Sequence, residues 1–380
     1  MGKILLTGVT GLVGSAFVVA LLREKPAERF VCIARSNGGG SAADRVAKVL
    51  REQCEFDGCA DFAEQAIAAV EVIDGDVVDI VPEELAKLDV LKGVDRVFHC
   101  AADVNLGKDP TGKTFRINFG GTTNMVKLAQ LLKVKEFHQV STAYVAGRIS
   151  GRAMEEQALD NGFNNPYEES KFKAEMLVRN SGIPFSVYRP AIITGRLSDG
   201  RVRRPLAFYR IVEFLAKLKQ NRCMKAGLNP ADWVDMGLHF RTAASERVYF
   251  VPIDYVQQAI TSLFQKPVCN RTYHVTGNSP VQTFQIQRAI CNILKIGAVE
   301  ISVGDDAQDI ESSQESNLMS KFLGDLLPYF ASNITFDQRN ITDALGSSFV
   351  NWEFGEAGLE KIVRSFINDF MPDSVWAEKK

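Results

Sequence analysis

Short apolar runs alternate with segments of helical period through the first half of the chain. Lys3–Thr7, Arg29–Ala34, Glu71–Asp76, Asp95–Ala102, Glu136–Val140 and Phe185–Arg189 are mostly continuous in apolar character. That is the pattern of strands buried on both faces, as in a parallel sheet. Between them, helices are predicted from Gly11 to about Leu22, after the Ser36–Ser41 loop, over Thr114–Leu132 and from Tyr167 onward. Alternating strands and helices with short connections give an α/β fold with a doubly wound parallel sheet. Beyond Gly195 the pattern changes: Leu206–Leu218 reads as an amphipathic helix, Tyr249–Asp254 as a return to the sheet, and Thr272–Thr276 as a further strand. Phe284–Leu294 and Glu356–Phe370 read as helices that cap a cleft, Asp305–Asn317 as an acidic loop, and Ser374–Lys380 as a frayed tail. The expected division is 1–195 plus about 248–276 as the sheet domain. About 196–247 plus 277–380 form a smaller, mostly helical substrate domain.

Two stretches carry chemistry. Thr7-Gly-Val-Thr-Gly-Leu-Val-Gly14 joins the first strand to the first helix. Glycines there permit a tight turn and close approach of backbone to a pyrophosphate, which the helix amides then bind. Arg35 ends the second strand, where a carboxylate would hold the ribose diol of NAD; an arginine suits a 2′-phosphate instead. Arg45 is a candidate second phosphate contact, and a solvated surface arginine is the competing reading of both. Asp76 and Val77 follow the third strand, beside the expected adenine. The second stretch runs from His138 to Lys171. It places Ser141 and Thr142 at a strand end and sets Tyr167 and Lys171 four residues apart on one helix face. An ammonium beside a phenol favours phenolate, so this pair is expected to move a proton to or from a carbonyl oxygen. His99 and His274 lie inside apolar strands and read as packed core residues.

Composition narrows the classes. A formal net charge of −2 argues against a nucleic-acid binder. The seven cysteines lack metal-ligand spacing, so no metal is expected. Met1-Gly-Lys-Ile4 runs straight into a strand and no apolar run reaches bilayer length, so the expectation is a cytoplasmic protein in a reducing setting. Glu213 is the one acid in Arg201–Lys225; this basic run reads either as a contact for an anionic partner or as a solvated helix face.

The chain resembles an extended short-chain dehydrogenase/reductase, and within that superfamily the branch of thioester reductases and fatty acyl-CoA reductases. The likeness rests on Thr7–Gly14, Gly75-Asp76, His99–Ala102, Asn118–Thr122, Ser141–Gly147, Asn165–Lys171, Arg189–Gly195 and Val251–Val256. It implies a Rossmann sheet and NADPH as cofactor. Thr142, Tyr167, Lys171 and Asn118 are implied as catalytic residues, with Lys171 also on the nicotinamide ribose and Asn118 supporting Lys171 or a relay water. Gly8, Thr10, Gly11, Leu12, Val13, Gly14, Arg35, Arg45, Asp76, Val77, Ala101, Ala102, Pro190 and Ile193 would contact the cofactor. The implied substrate is an acyl thioester on CoA or on a separate carrier protein, reduced to an aldehyde or further to an alcohol. A dehydrogenase of hydroxysteroid type, a sugar-nucleotide epimerase, and a regulator without catalysis are the alternatives.

Overall fold

The computed structural model describes residues 2–36, 38–242, 247–303, 324–330 and 333–378. Seven parallel strands form one sheet: β1 (Lys3–Thr7), β2 (Arg29–Ala34), β3 (Val70–Asp74), β4 (Val94–His99), β5 (Glu136–Val140), β6 (Phe185–Pro190) and β7 (Arg271–Val275). Their order across the sheet is β7-β6-β5-β4-β1-β2-β3. The chain winds outward from β1 in one direction and from β4 in the other. A crevice therefore opens past the ends of β1 and β4, where such sheets bind ligands.

Alternation along each strand explains the layers. Ile4 and Leu6 point into one core with Phe30, Cys32 and Phe98, while Leu5 joins Val31, Val97 and Phe137 in the other. The first core is covered by α1 (Leu12–Glu24), α2 (Ala42–Phe56) and α6 (Ile253–Phe264), with Phe17 stacked on Phe98 at 3.9 Å between ring centroids. The second is covered by α3 (Gly121–Leu132) and α4 (Pro166–Arg179), through Met125, Leu128, Ala129 and Val178. Fully burying an aliphatic or aromatic side chain contributes about 1.5–3 kcal/mol, so these two layers hold the sheet.

The remaining elements include α5 (Ala207–Ala226), α7 (Thr283–Leu294) and α8 (Gly355–Phe370). α5 runs past the expected Leu218 and stops at Gly227, which takes a left-handed conformation. The Thr114–Leu132 helix is interrupted: Arg116–Gly120 forms a π turn before α3 begins. Phe250–Pro252 does not enter the main sheet. It pairs with Ile192–Thr194 instead, because β7 takes the position beside β6. Two parallel pairs, Val234–Thr242 with Ile296–Val303 and Gly151–Ala153 with Ile334–Phe336, had no clear sequence signal. Ser374–Glu378 is packed rather than frayed: Glu378 N–H donates to Asn368 Oδ1 at 2.9 Å and Lys219 lies over the Trp376 ring. The expected loop Asp305–Asn317 lies outside the described residues. No described helix is long and apolar enough to cross a membrane.

Candidate active site

The glycine-rich turn after β1 is shaped by steric need. Gly8 has φ +81°, and a Cβ there would lie 2.6 Å from the Ala101 nitrogen. A Cβ on Gly14 would sit 2.2 Å from the Gly8 oxygen, so α1 approaches the turn as only glycine allows. Gly11 N–H donates to Gly8 O at 2.9 Å, and Thr10 completes the turn. Gly11 is also the N-cap of α1; it offers no side-chain cap, and the first turn of Leu12, Val13 and Gly14 carries no acid. This leaves a cradle of amides suited to a dinucleotide diphosphate.

Past the ends of β2 and β3, Arg35 Nη1 donates to Asp76 Oδ2 at 3.0 Å, and Arg45 Nη1 donates to Arg35 O at 3.0 Å. Arg35 is exposed and Arg45 half-buried, so the Arg35 charge is accessible to a ligand. Val77 is buried against Gly121, and Asn124 Nδ2 donates to its carbonyl at 2.9 Å.

A directed chain of hydrogen bonds crosses the site beneath this cradle. Ala101 N–H donates to Thr7 Oγ1 at 3.3 Å, Thr7 Oγ1 lies 2.6 Å from His99 Nδ1, and His99 Nε2 lies 3.0 Å from Thr122 Oγ1. Thr122 Oγ1 in turn donates to Asn118 O at 2.6 Å. That last bond fixes the directions: His99 carries its proton on Nε2 and accepts from Thr7 on Nδ1. Burial, with Lys171 adding to it, lowers the His99 pKa to about 3, so the ring stays neutral and serves as a structural connector.

Thr142 follows β5 in extended conformation, φ −145°, and its Oγ1 accepts from Tyr144 N–H at 3.3 Å. It shares a hydrogen bond with the Tyr167 hydroxyl and lies 3.5 Å from Pro190 O. Tyr167 is held on the first turn of α4, where Asn165 caps the helix by accepting from Glu168 N–H and Pro166 fits the start. Lys171, 3% exposed, donates to Val140 O at 2.6 Å. Asn118 Nδ2 reaches Ser170 Oγ at 2.9 Å and Asp103 O at 3.1 Å. Asn118 therefore braces α4 beside Lys171, from the π turn. Ala102 follows Ala101 beside the turn, and Ile193 lies in the short strand after Pro190.

Burial pushes the Tyr167 phenol well above its ordinary value; the Cys100 thiol and Glu168 add to the rise, and Thr142 opposes it. Lys171 was expected to lower this pKa, but the phenol is held protonated, the form that donates a proton. Burial lowers Lys171 to about 8, against the pull of Cys100 and Glu175. The ammonium is thus present below pH 8 and lost above it. For the free protein, kcat/KM for the cofactor is expected to fall through one ionisation near pH 8 as pH rises. Lys171→Met should remove that limb, which a pH series of initial rates will show.

Comparison with known proteins places the chain in a family. The profile of an NAD-binding family described as male sterility protein matches residues 6–260. The chain belongs to this family. It is also similar to nonribosomal peptide synthetase asaC of Aspergillus flavus, 25% identical over 334 residues, which are 84% of this chain and 30% of that protein. A carboxylic acid reductase of Segniliparus rugosus is 27% identical over 282 residues, 68% of this chain and 23% of the relative. The chain thus spans less than a third of the length of these two relatives. In fold it matches the terminal R domain from the myxalamid PKS-NRPS pathway, with TM-score 0.72, 21% identity and coverage of 100% of this chain and 93% of that one. A thiolation-reductase di-domain from an archaeal non-ribosomal peptide synthetase gives TM-score 0.68 at 21% identity, covering 97% and 90%. With this family membership, the chain is an extended short-chain dehydrogenase/reductase of the thioester-reductase branch.

Several residues of this family member escaped sequence reading. Glu168 is fully buried, accepts from Asn164 N–H at 2.8 Å and hydrogen-bonds Tyr329. Tyr329, which also accepts from Asn165 Nδ2 at 2.8 Å, stands edge-on to Tyr144 at 4.7 Å and so walls the site from the far end of the chain. The basic run is not a free anion contact at its start. Arg203 turns inward onto the glycine-rich turn, and Arg201 pairs with Asp369 at 3.4 Å.

Proposed function

We propose that the protein is an NADPH-dependent reductase that converts an acyl thioester to the aldehyde and free thiol. The observation that carries this is the Thr142–Tyr167 hydroxyl pair beside buried Lys171, at the end of β5, in a chain of the thioester-reductase branch. Reduced nicotinamide, when bound, supplies the hydride. Thr142 and Tyr167 donate hydrogen bonds to the thioester carbonyl oxygen and stabilise the charge that develops there. Tyr167, protonated at neutral pH, delivers its proton to that oxygen. The resulting hemithioacetal loses thiol and leaves the aldehyde. Lys171 holds the nicotinamide ribose, and Asn118 keeps α4 in register through Ser170.

The preference for NADPH rests on exposed Arg35, at the end of β2, and on half-buried Arg45, whose guanidinium reaches the Arg35 carbonyl from α2. A charge-assisted contact with a 2′-phosphate contributes about 1.5–3 kcal/mol, or roughly 10- to 150-fold in affinity. Arg35→Ala should therefore weaken NADPH by roughly that factor and leave NADH within about 2-fold. Equal NADPH and NADH affinities in the unmutated protein would reject the cofactor assignment. The acyl group comes on CoA or on a carrier protein, a reading supported by the likeness to nonribosomal peptide synthetases and to a thiolation-reductase di-domain. NADPH oxidation across acyl-CoAs, carrier-bound acyl groups, ketones and sugar nucleotides tests the reading. Turnover confined to ketones or sugar nucleotides would replace it.

A further inference from the structure

Arg203 is 192 residues from Gly11 in sequence, yet its Nη2 donates to the Gly11 carbonyl at 3.1 Å and to Ser15 Oγ at 2.9 Å. Its Nε donates to Gln53 Oε1 at 3.0 Å, and Glu52 lies 3.5 Å from Nη1. Ser15 Oγ closes the ring by donating to Gly11 O at 2.8 Å. The guanidinium, with side-chain exposure of 10%, is thus locked against the first turn of α1.

The segment that delivers Arg203 is firmly built. A Cβ on Gly195 would fall 2.0 Å from Gly200 O, and one on Gly200 would fall 2.5 Å from Lys361 O. Leu197 N–H donates to both Asp254 carboxylate oxygens at 3.1 Å, and Val202 is buried in the core. Arg196 Nη1 donates to Phe56 O at 2.8 Å and its guanidinium lies over the Phe56 ring, which ties the same segment to the end of α2.

We propose that Arg203 is a positioning residue for the cofactor diphosphate. It acts through Gly11 rather than by touching the anion. A peptide carbonyl at an N-cap fixes the plane of the following amide, and the amides of Leu12 and Val13 are the donors an anion meets. Two donors pinning Gly11 O hold those N–H groups facing outward. The proposal rests on the dinucleotide reading but not on the choice of NADPH, because both dinucleotides carry the diphosphate.

The test uses the full chain with Arg203→Gln, Arg203→Lys and, as control, Arg201→Ala. Binding of NADPH, NADH and adenosine 2′-monophosphate is measured by calorimetry, with thermal unfolding recorded without ligand. Arg203→Gln should raise Kd for both dinucleotides by about 10-fold or more, because releasing the Gly11 carbonyl weakens the amide contacts to the diphosphate. Their ratio should not change. Adenosine 2′-monophosphate, which lacks the diphosphate, should bind within about 2-fold of normal. Arg203→Lys, which keeps the charge and one donor, should fall between, and Arg201→Ala should match the unmutated protein. Unchanged dinucleotide affinity in a folded Arg203 variant would overturn the proposal. So would an equal loss for all three ligands, which signals general loosening. If Arg203→Gln does not fold, the same criteria applied to Arg203→Lys decide.

Discussion

Tyr167→Phe is expected to keep cofactor affinity and lose about 10²–10⁴ of turnover. The substitution preserves the ring and removes only the hydroxyl that shares a hydrogen bond with Thr142. Because burial keeps that phenol protonated, the role proposed for it is to give a proton to the new oxyanion rather than to sit as a standing phenolate. Thr142→Ala removes the second donor and should cost about 10²–10³, the range for loss of one oxyanion contact. The two losses should not add when combined, because both groups serve one oxygen. Initial rates at saturating cofactor, with dinucleotide Kd measured in parallel, check this. Near-normal turnover of Tyr167→Phe would remove the tyrosine from the reaction.

Glu175→Gln is expected to destabilise the fold by about 3–5 kcal/mol, the range for breaking a buried ion pair. Glu175 is fully buried one turn beyond Lys171. Its carboxylate accepts from Arg189 at 2.6 and 3.0 Å, from Arg179 at 2.9 Å and from Ser141 Oγ at 3.1 Å. Burial pushes the carboxyl up, but Arg189 and Arg179 outweigh it and hold the pKa at about 2. Arg189, 2% exposed, also lies 3.3 Å from His274 Nε2 and so binds α4, β6 and β7 together. Replacing the acid leaves that guanidinium buried without its counter-charge. Glu175→Met with Arg189→Met should lose less than either single change. Urea unfolding measures the stabilities. Since Glu175 also raises the Lys171 pKa, the alkaline limb near pH 8 should move lower in Glu175→Gln. A loss below about 1 kcal/mol would mean that the pair adds little to the fold.

What the sequence made legible was local. The six strands of the first half of the chain are short apolar runs, and the glycine spacing and the Tyr167–Lys171 interval lie within single turns, so each could be read in place. The Tyr249–Asp254 strand was assigned to the main sheet because an apolar run names no partner; pairing with Ile192–Thr194 is a tertiary choice. Arg203 looked like part of a solvated or ligand-facing run because its acceptors, Gly11 and Ser15, lie 192 and 188 residues away in sequence. The Tyr167 pKa was expected low from the neighbouring lysine alone, and desolvation, which no spacing reveals, prevails. Tyr329 is distant in sequence from Asn165 and Glu168, and its place at the site became visible only with the fold.

Hydride transfer to a thioester leaves a mark that no rival chemistry of this fold shares. NADPH deuterated at the reactive C4 position, incubated with an acyl thioester under single-turnover conditions, should yield aldehyde carrying deuterium at C1. Free thiol should appear in equal amount, with one dinucleotide oxidised per aldehyde released. Unlabelled product, thiol without aldehyde, or label found only in a ketone-derived alcohol would contradict thioester reduction at the Thr142–Tyr167 site.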